Sequence, residues 1–250
     1  MERGDRAPAD EFIDGSAGID YYSFVAMRSG DLIAEMQPIN DMVRALREAG
    51  VSSDSRVVLY GAGHVPARVY MTLDYLGLGD RTSVLDGGLV AWKAAGGGTS
   101  EAPVAYEAGS FEADLQDDVL VDLEWVRARM DDPTTAVIDA RPEIEYSGER
   151  PGEGLKPGHI PGAYNLYWED LLEAEDNPVL KSLEAVQARW DAADAEEGDV
   201  VVSYCYVGMR ASFTYMISKH LGYDARFYDG SWNEWGARDD TPAVEGTSRR

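Results

Sequence analysis

The chain has 250 residues, 44% of them apolar, and carries 46 acidic against 22 basic residues for a formal charge of −24. That length accommodates one large domain or two ordinary ones with real hydrophobic cores, and the negative field excludes nucleic acid and anionic membrane as partners. One cysteine and three widely spaced histidines, His64, His159 and His220, exclude a disulfide framework, a CxxC redox pair and a metal-ligand pattern.

From the N-terminus onward, Phe12-Ile13-Asp14-Gly15-Ser16 precedes the apolar run Val57-Val58-Leu59-Tyr60, which predicts a short buried strand entering a loop at Gly61. A stretch containing Tyr70-Met71 stops at Gly77, and Asp86-Gly87 opens a segment with Trp92. Residues 96–110, rich in glycine, alanine and acid, read as a linker. A helix is predicted over 123–130 with Asp122 as its cap, then a buried strand at 136–138 leading into Asp139-Ala140-Arg141. The turn element Gly158-His159-Ile160-Pro161-Gly162-Ala163 follows. A second apolar strand, 200–202, enters a loop at Cys205; residues 211–221 form a helix ended by Gly222 at its C′ position, and 225–228 form the next strand. Asp229-Gly230-Ser231-Trp232-Asn233-Glu234-Trp235 closes the series.

The two halves echo each other. Val57 to Gly61 aligns with Val201 to Cys205, Tyr70-Met71 and Gly77 with Tyr215-Met216 and Gly222, and Asp86-Gly87 with Trp92 matches Asp229-Gly230 with Trp235. The offset stays at about 145 residues, the mark of two copies of one unit. Each unit alternates strand and helix, which predicts an α/β fold with two domains, each a parallel sheet flanked by helices. Phe12 to Ser16 aligns with His159 to Ala163, yet the residues before it leave no room for the strand that ends at Asp139 in the second copy. The N-terminal domain is therefore expected to be truncated, and an incomplete start leaves export open beside a cytoplasmic location.

Cys205-Tyr206-Val207-Gly208-Met209-Arg210 lies between a buried strand and a helix start. A loop in that place offers backbone N–H groups and the positive end of a helix dipole to an anion, so a thiolate there is favoured as a nucleophile. Gly208 permits close backbone approach, and Arg210 brings a planar fork of donors suited to an oxyanion. Asp139 and Arg141 are read as an ion pair or loop anchor, with Arg141 a candidate substrate contact. Trp232 and Trp235 are read as packing residues, and His159, Pro161 and Gly162 as a turn.

The CxxGxR loop, the GHIPGA element, Asp139-Ala140-Arg141 and DGSWNEW together resemble the rhodanese family. The resemblance implies a tandem sulfurtransferase with a non-catalytic N-terminal domain over 1–98, a linker over 99–110, a catalytic domain over 111–240 and a tail over 241–250. It implies that Cys205 carries sulfane sulfur as a persulfide from thiosulfate or 3-mercaptopyruvate to cyanide or a thiol, with no cofactor and no metal, in a monomer. Substrate binding falls to Tyr206, Val207, Gly208, Met209, Arg210 and Arg141. Family loops closed by a charged residue go with thiosulfate, so thiosulfate is the expected donor. Many tandem members carry an arginine before the aromatic residue at Tyr146, where it binds the anionic donor; this chain has Glu145 there. A C-x4-R phosphatase and a non-catalytic rhodanese-type binding module stand as competing readings.

Overall fold

The computed structural model describes residues 11–26, 34–174 and 177–249. The first ten residues of the expected N-terminal domain, residues 27–33 and Arg250 of the expected tail lie outside the described residues. The N-terminal half runs β1 (Phe12–Ile13), β2 (Val25–Ala26), β3 (Glu35–Met36), α1 (Ile39–Glu48), β4 (Val57–Leu59), α2 (Val65–Tyr75), β5 (Thr82–Val84), α3 (Gly88–Ala94) and β6 (Thr99–Ser100). The C-terminal half runs β7 (Leu120–Val121), α4 (Leu123–Arg129), β8 (Thr135–Asp139), α5 (Glu143–Tyr146), β9 (Tyr164–Asn165), β10 (Leu172–Ala174), β11 (Asn177–Leu180), α6 (Leu183–Asp191), β12 (Val200–Tyr204), α7 (Ala211–His220), β13 (Asp224–Tyr228) and α8 (Ser231–Trp235).

The centre of the C-terminal half is a five-stranded sheet in the order β7-β13-β12-β8-β9, with every pairing parallel. Both faces are covered, which explains why β8 and β12 read as unbroken apolar runs instead of alternating ones. Ala136, Ile138 and Val201 enter one core with Trp190 of α6 and Ile217 of α7. Val137, Val202 and Tyr204 enter the opposite core with Val126 of α4 and Trp232 and Trp235 of α8. The strand period of two thus feeds two cores from one sequence run. Both tryptophans expected to pack are buried there.

In the N-terminal half β4 and β5 form a parallel pair. Among the described residues β4 has no second neighbour, and Val58 is 64% exposed on it, whereas its C-terminal counterpart β12 lies between β8 and β13. The segment read as a linker begins with β6, which pairs antiparallel with β1. Phe111, placed in the second domain by sequence, is buried in the N-terminal core with Phe24, Met42 and Leu73. The segment read as a tail is fastened to the C-terminal half: Val244 and His159 exchange backbone hydrogen bonds, and Arg249 pairs with Asp194. The halves meet where α2 lies against α7, with the Tyr215 hydroxyl donating to Asp74 at 2.5 Å and Lys219 3.2 Å from the same carboxylate. No helix among the described residues is long and apolar enough to cross a membrane.

Asp122 accepts the Trp125 N–H at 2.8 Å, so α4 carries the N-cap read from sequence. Asp122→Ala is expected to lower stability by about 1 kcal/mol, the usual worth of such a cap, in urea unfolding with an unchanged slope.

Candidate active site

Cys205 follows β12 directly, at the carboxyl edge of the parallel sheet, and is fully buried. Parallel α/β sheets place their sites at this edge because helix N-termini converge there. α7 begins at Ala211, with Arg210 at its N-cap position.

Four carbonyl groups of the loop, those of Cys205, Tyr206, Gly208 and Met209, are held by groups beyond it. The Trp232 and Asn233 N–H groups, orphan donors of the first turn of α8, bond to the carbonyls of Cys205 and Tyr206 at 2.9 and 2.8 Å. Arg68 Nη1 reaches the Gly208 carbonyl at 3.4 Å, and the Ser212 hydroxyl donates to the Met209 carbonyl at 2.6 Å. The Cys205 N–H donates to Ser231 Oγ at 3.2 Å, and that hydroxyl donates to the Tyr228 carbonyl at 2.9 Å. Among the described residues, the N–H groups of residues 206–210 meet no protein acceptor. A loop with most of its carbonyls engaged and its amides free is suited to receive negative charge.

Gly208 is the position that glycine alone fills well. Its φ is +76°, and a Cβ there would lie 2.8 Å from Asp229 Oδ1 and 3.1 Å from Arg68 Nη1. Ser231 also takes a left-handed φ, +53°, which costs a side-chain-bearing residue about 1 kcal/mol; its two hydrogen bonds beneath Cys205 hold it there.

The remaining candidate residues divide by neighbour. Val207 and Met209 lie against the N-terminal core, and the Tyr21 hydroxyl donates to Met209 Sδ at 2.7 Å. Tyr206 joins the opposite side with Leu155, and burial pushes its hydroxyl up from the usual value. Arg141 is buried on Asp139, with Nη2 2.6 Å from Oδ2 and 2.9 Å from the Gly158 carbonyl, and its guanidinium lies 4.6 Å from the Trp232 ring. The Asp139–Arg141 pair therefore anchors the GHIPGA turn to the sheet edge. Burial alone would lower the Arg141 pKa, but the Asp139 carboxylate outweighs it and the group stays cationic.

The Arg210 fork, expected to face an oxyanion, is taken up by a carboxylate of the protein. Glu145 receives it in a fork, Nη1 to Oε1 at 3.1 Å and Nη2 to Oε2 at 2.7 Å. Burial works against its charge, while a thiolate at Cys205 and the Glu145 carboxylate raise its pKa.

Sequence reasoning missed a group contributed by the N-terminal half. Arg68 of α2 is fully buried, 2.6 Å from Asp229 and 3.2 Å from the Ala34 carbonyl. The available signal was a charged residue inside a helix that is otherwise uncharged from Val65 to Leu73. Glu35 lies beside the same Asp229, whose Oδ2 accepts the Met36 N–H at 3.3 Å.

Residues 122–238 match the family described as the rhodanese-like domain. The chain is 33% identical over 199 residues to a probable 3-mercaptopyruvate sulfurtransferase of Pseudomonas aeruginosa, covering 78% of this chain and 69% of the relative. It is 31% identical over 211 residues to a thiosulfate sulfurtransferase of Azotobacter vinelandii, covering 83% and 76%. This chain belongs to the rhodanese family. The solved structure of YnjE superposes with a TM-score of 0.82 at 24% identity, over 94% of this chain and 59% of that one, so the rhodanese chain described here spans about three fifths of its length. That likeness shows the fold.

The Glu35 carboxyl is pushed up to about 8, first by burial and then by the Asp229 charge, against the pull of Arg68. A carboxyl raised on folding binds more protons in the native than in the unfolded state between its unfolded value of about 4.3 and that raised value. Its contribution is full below the window and is lost as pH rises through it. Measured against Glu35→Gln, the wild-type protein is expected to lose relative stability in urea between pH 5 and pH 8.5, at about the slope of one proton per molecule. Parallel curves for the two proteins would contradict the assignment.

Proposed function

We propose that this protein transfers sulfane sulfur by way of a persulfide on Cys205. The observation that carries the reading is the chain's sole cysteine at the start of a loop whose carbonyls are tied outward and whose amides are uncommitted, in a chain of the rhodanese family. The Cys205 thiolate attacks the outer sulfur of thiosulfate. An Sγ–S bond forms, the donor S–S bond breaks, and sulfite leaves with the electron pair. Cyanide or a thiol then attacks the terminal sulfur and restores the thiolate. The loop amides hold the negative charge in both half-reactions, so no general base is required. Because Cys205 is fully buried, a donor has to displace side chains that cover it.

Thiosulfate is the donor of the first reading, since Tyr206 and Val207 leave less room for a carbon skeleton than small residues would. The Arg210–Glu145 pair favours a second reading, 3-mercaptopyruvate as donor, because it compensates the charge that would draw a dianion. Tyr206, Val207, Gly208, Met209 and Arg210 are proposed to frame the donor, and Arg141 to act beside them through the Asp139 anchor. The N-terminal half, with Gly61 in the cysteine position, is proposed as a non-catalytic copy that covers the loop on the side of Val207 and Met209. The two-domain division and a cytoplasmic, monomeric state belong to the same proposal.

Cys205→Ser is expected to retain the fold and to lose thiocyanate formation from thiosulfate and cyanide to below about 1% of wild type, because a hydroxyl forms no persulfide. The readout is initial rate beside a circular dichroism spectrum. Turnover well above that level in a folded variant would sink the mechanism.

A further inference from the structure

The guanidinium groups around the loop each carry a carboxylate partner. Arg68 is paired with Asp229, Arg141 with Asp139, and Arg210 with Glu145. In the first two pairs the guanidinium is buried, the Arg68 side chain being 0% and the Arg141 side chain 2% exposed. The third differs. Glu145 and Arg210 are 16% and 21% exposed in their side chains, and Arg210 closes the Cys205 loop at the N-cap of α7. Its pairing uses both outer nitrogens, the donors that would otherwise form a fork on an oxyanion. Glu145 also meets Arg150 at 3.1 Å, but that side chain is 61% exposed and its charge is screened by solvent.

We propose that Glu145 is the specificity-determining residue of the Cys205 loop: its carboxylate occupies the donor fork of Arg210, so that the site discriminates against dianionic sulfur donors in favour of those with one negative charge or none. The inference rests on the persulfide reading and deepens it. A dianion must either displace Glu145 from Arg210 or approach with that carboxylate in place, and each route penalises two charges more than one. The chain's net charge of −24 adds to the penalty at long range. Position 145 lies on α5, a short helix after Pro142 that the Asp139–Arg141 anchor fixes at the sheet edge, so the carboxylate is held in place by the same turn that positions the loop's surroundings.

A pair of donors with one chemistry and different charge isolates the effect. Thiosulfate carries two negative charges and releases sulfite; methanethiosulfonate carries one and releases methanesulfinate, each by cleavage of one S–S bond with the electron pair leaving on the oxidised sulfur. In Glu145→Gln the ratio of kcat/KM for thiosulfate to that for methanethiosulfonate is expected to rise at least about fivefold, and the rise should shrink as salt is added. Glu145→Asp, which keeps the charge, should stay near the wild-type ratio. In Arg210→Gln the further change Glu145→Gln should leave the ratio where it was, because the carboxylate acts through Arg210.

A ratio in Glu145→Gln equal to wild type, with persulfide still forming on Cys205, would overturn the proposal. So would a rise of the same size in the Arg210→Gln background, which would make the carboxylate act on the donor directly. Should wild-type protein form no persulfide from either donor, the functional reading beneath the proposal would fail instead.

Discussion

An anion-binding loop works only while its amides are free, and backbone amides stay free only if the carbonyls beside them are satisfied elsewhere. Here the carbonyls of Cys205 and Tyr206 are capped by the first turn of α8, that of Gly208 by Arg68, and that of Met209 by Ser212. The donors come from three parts of the structure, α8, α2 and α7. The loop is therefore not self-sufficient. Its conformation is imposed by β13 and α8 on one side and by α2 of the N-terminal half on the other. Gly208 and the left-handed Ser231 are the backbone adjustments that this clamping requires.

The N-terminal half thus contributes more than a cover. Arg68 spans from α2 to Asp229 and to two carbonyl oxygens, one of them in the loop. A guanidinium buried so completely is tolerated only with its partners in place, and loss of one member of such a pair typically costs about 3–5 kcal/mol. Glu35 crowds the same carboxylate and responds by holding its proton. The ionic centre where the halves meet is consequently tied both to the interface and to the shape of the loop that carries Cys205. An interface that also satisfies a carbonyl of that loop cannot be remodelled without moving it.

Much of this was legible in the sequence because it is local. The unbroken apolar runs at β8 and β12, the Asp122 cap, the left-handed Gly222 after α7 and the Asp139–Arg141 pair all follow from residues close together in the chain. The CxxGxR pattern fixed attention on Cys205 for the same reason. What was not legible depends on partners far apart in sequence. Arg68 meets Asp229 across 161 positions and Arg210 meets Glu145 across 65, and nothing in either local pattern announces the other. Glu145 stood out as a departure from the family pattern, yet the pattern does not show its contact with the loop arginine. Composition marked the segment near residues 99–111 as a connection but did not encode that β6 pairs with β1 at its start or that Phe111 is buried at its end.

The central claim is that sulfur resides covalently on Cys205 between the two half-reactions. Intact mass spectrometry of the full chain after incubation with thiosulfate, followed by peptide mapping without reductant, tests it most directly. The account predicts a species one sulfur atom heavier, mapped to the peptide containing Cys205, lost on addition of cyanide and absent in Cys205→Ser. Turnover of thiosulfate with no added sulfur on that peptide, or an equal mass shift in Cys205→Ser, would contradict it.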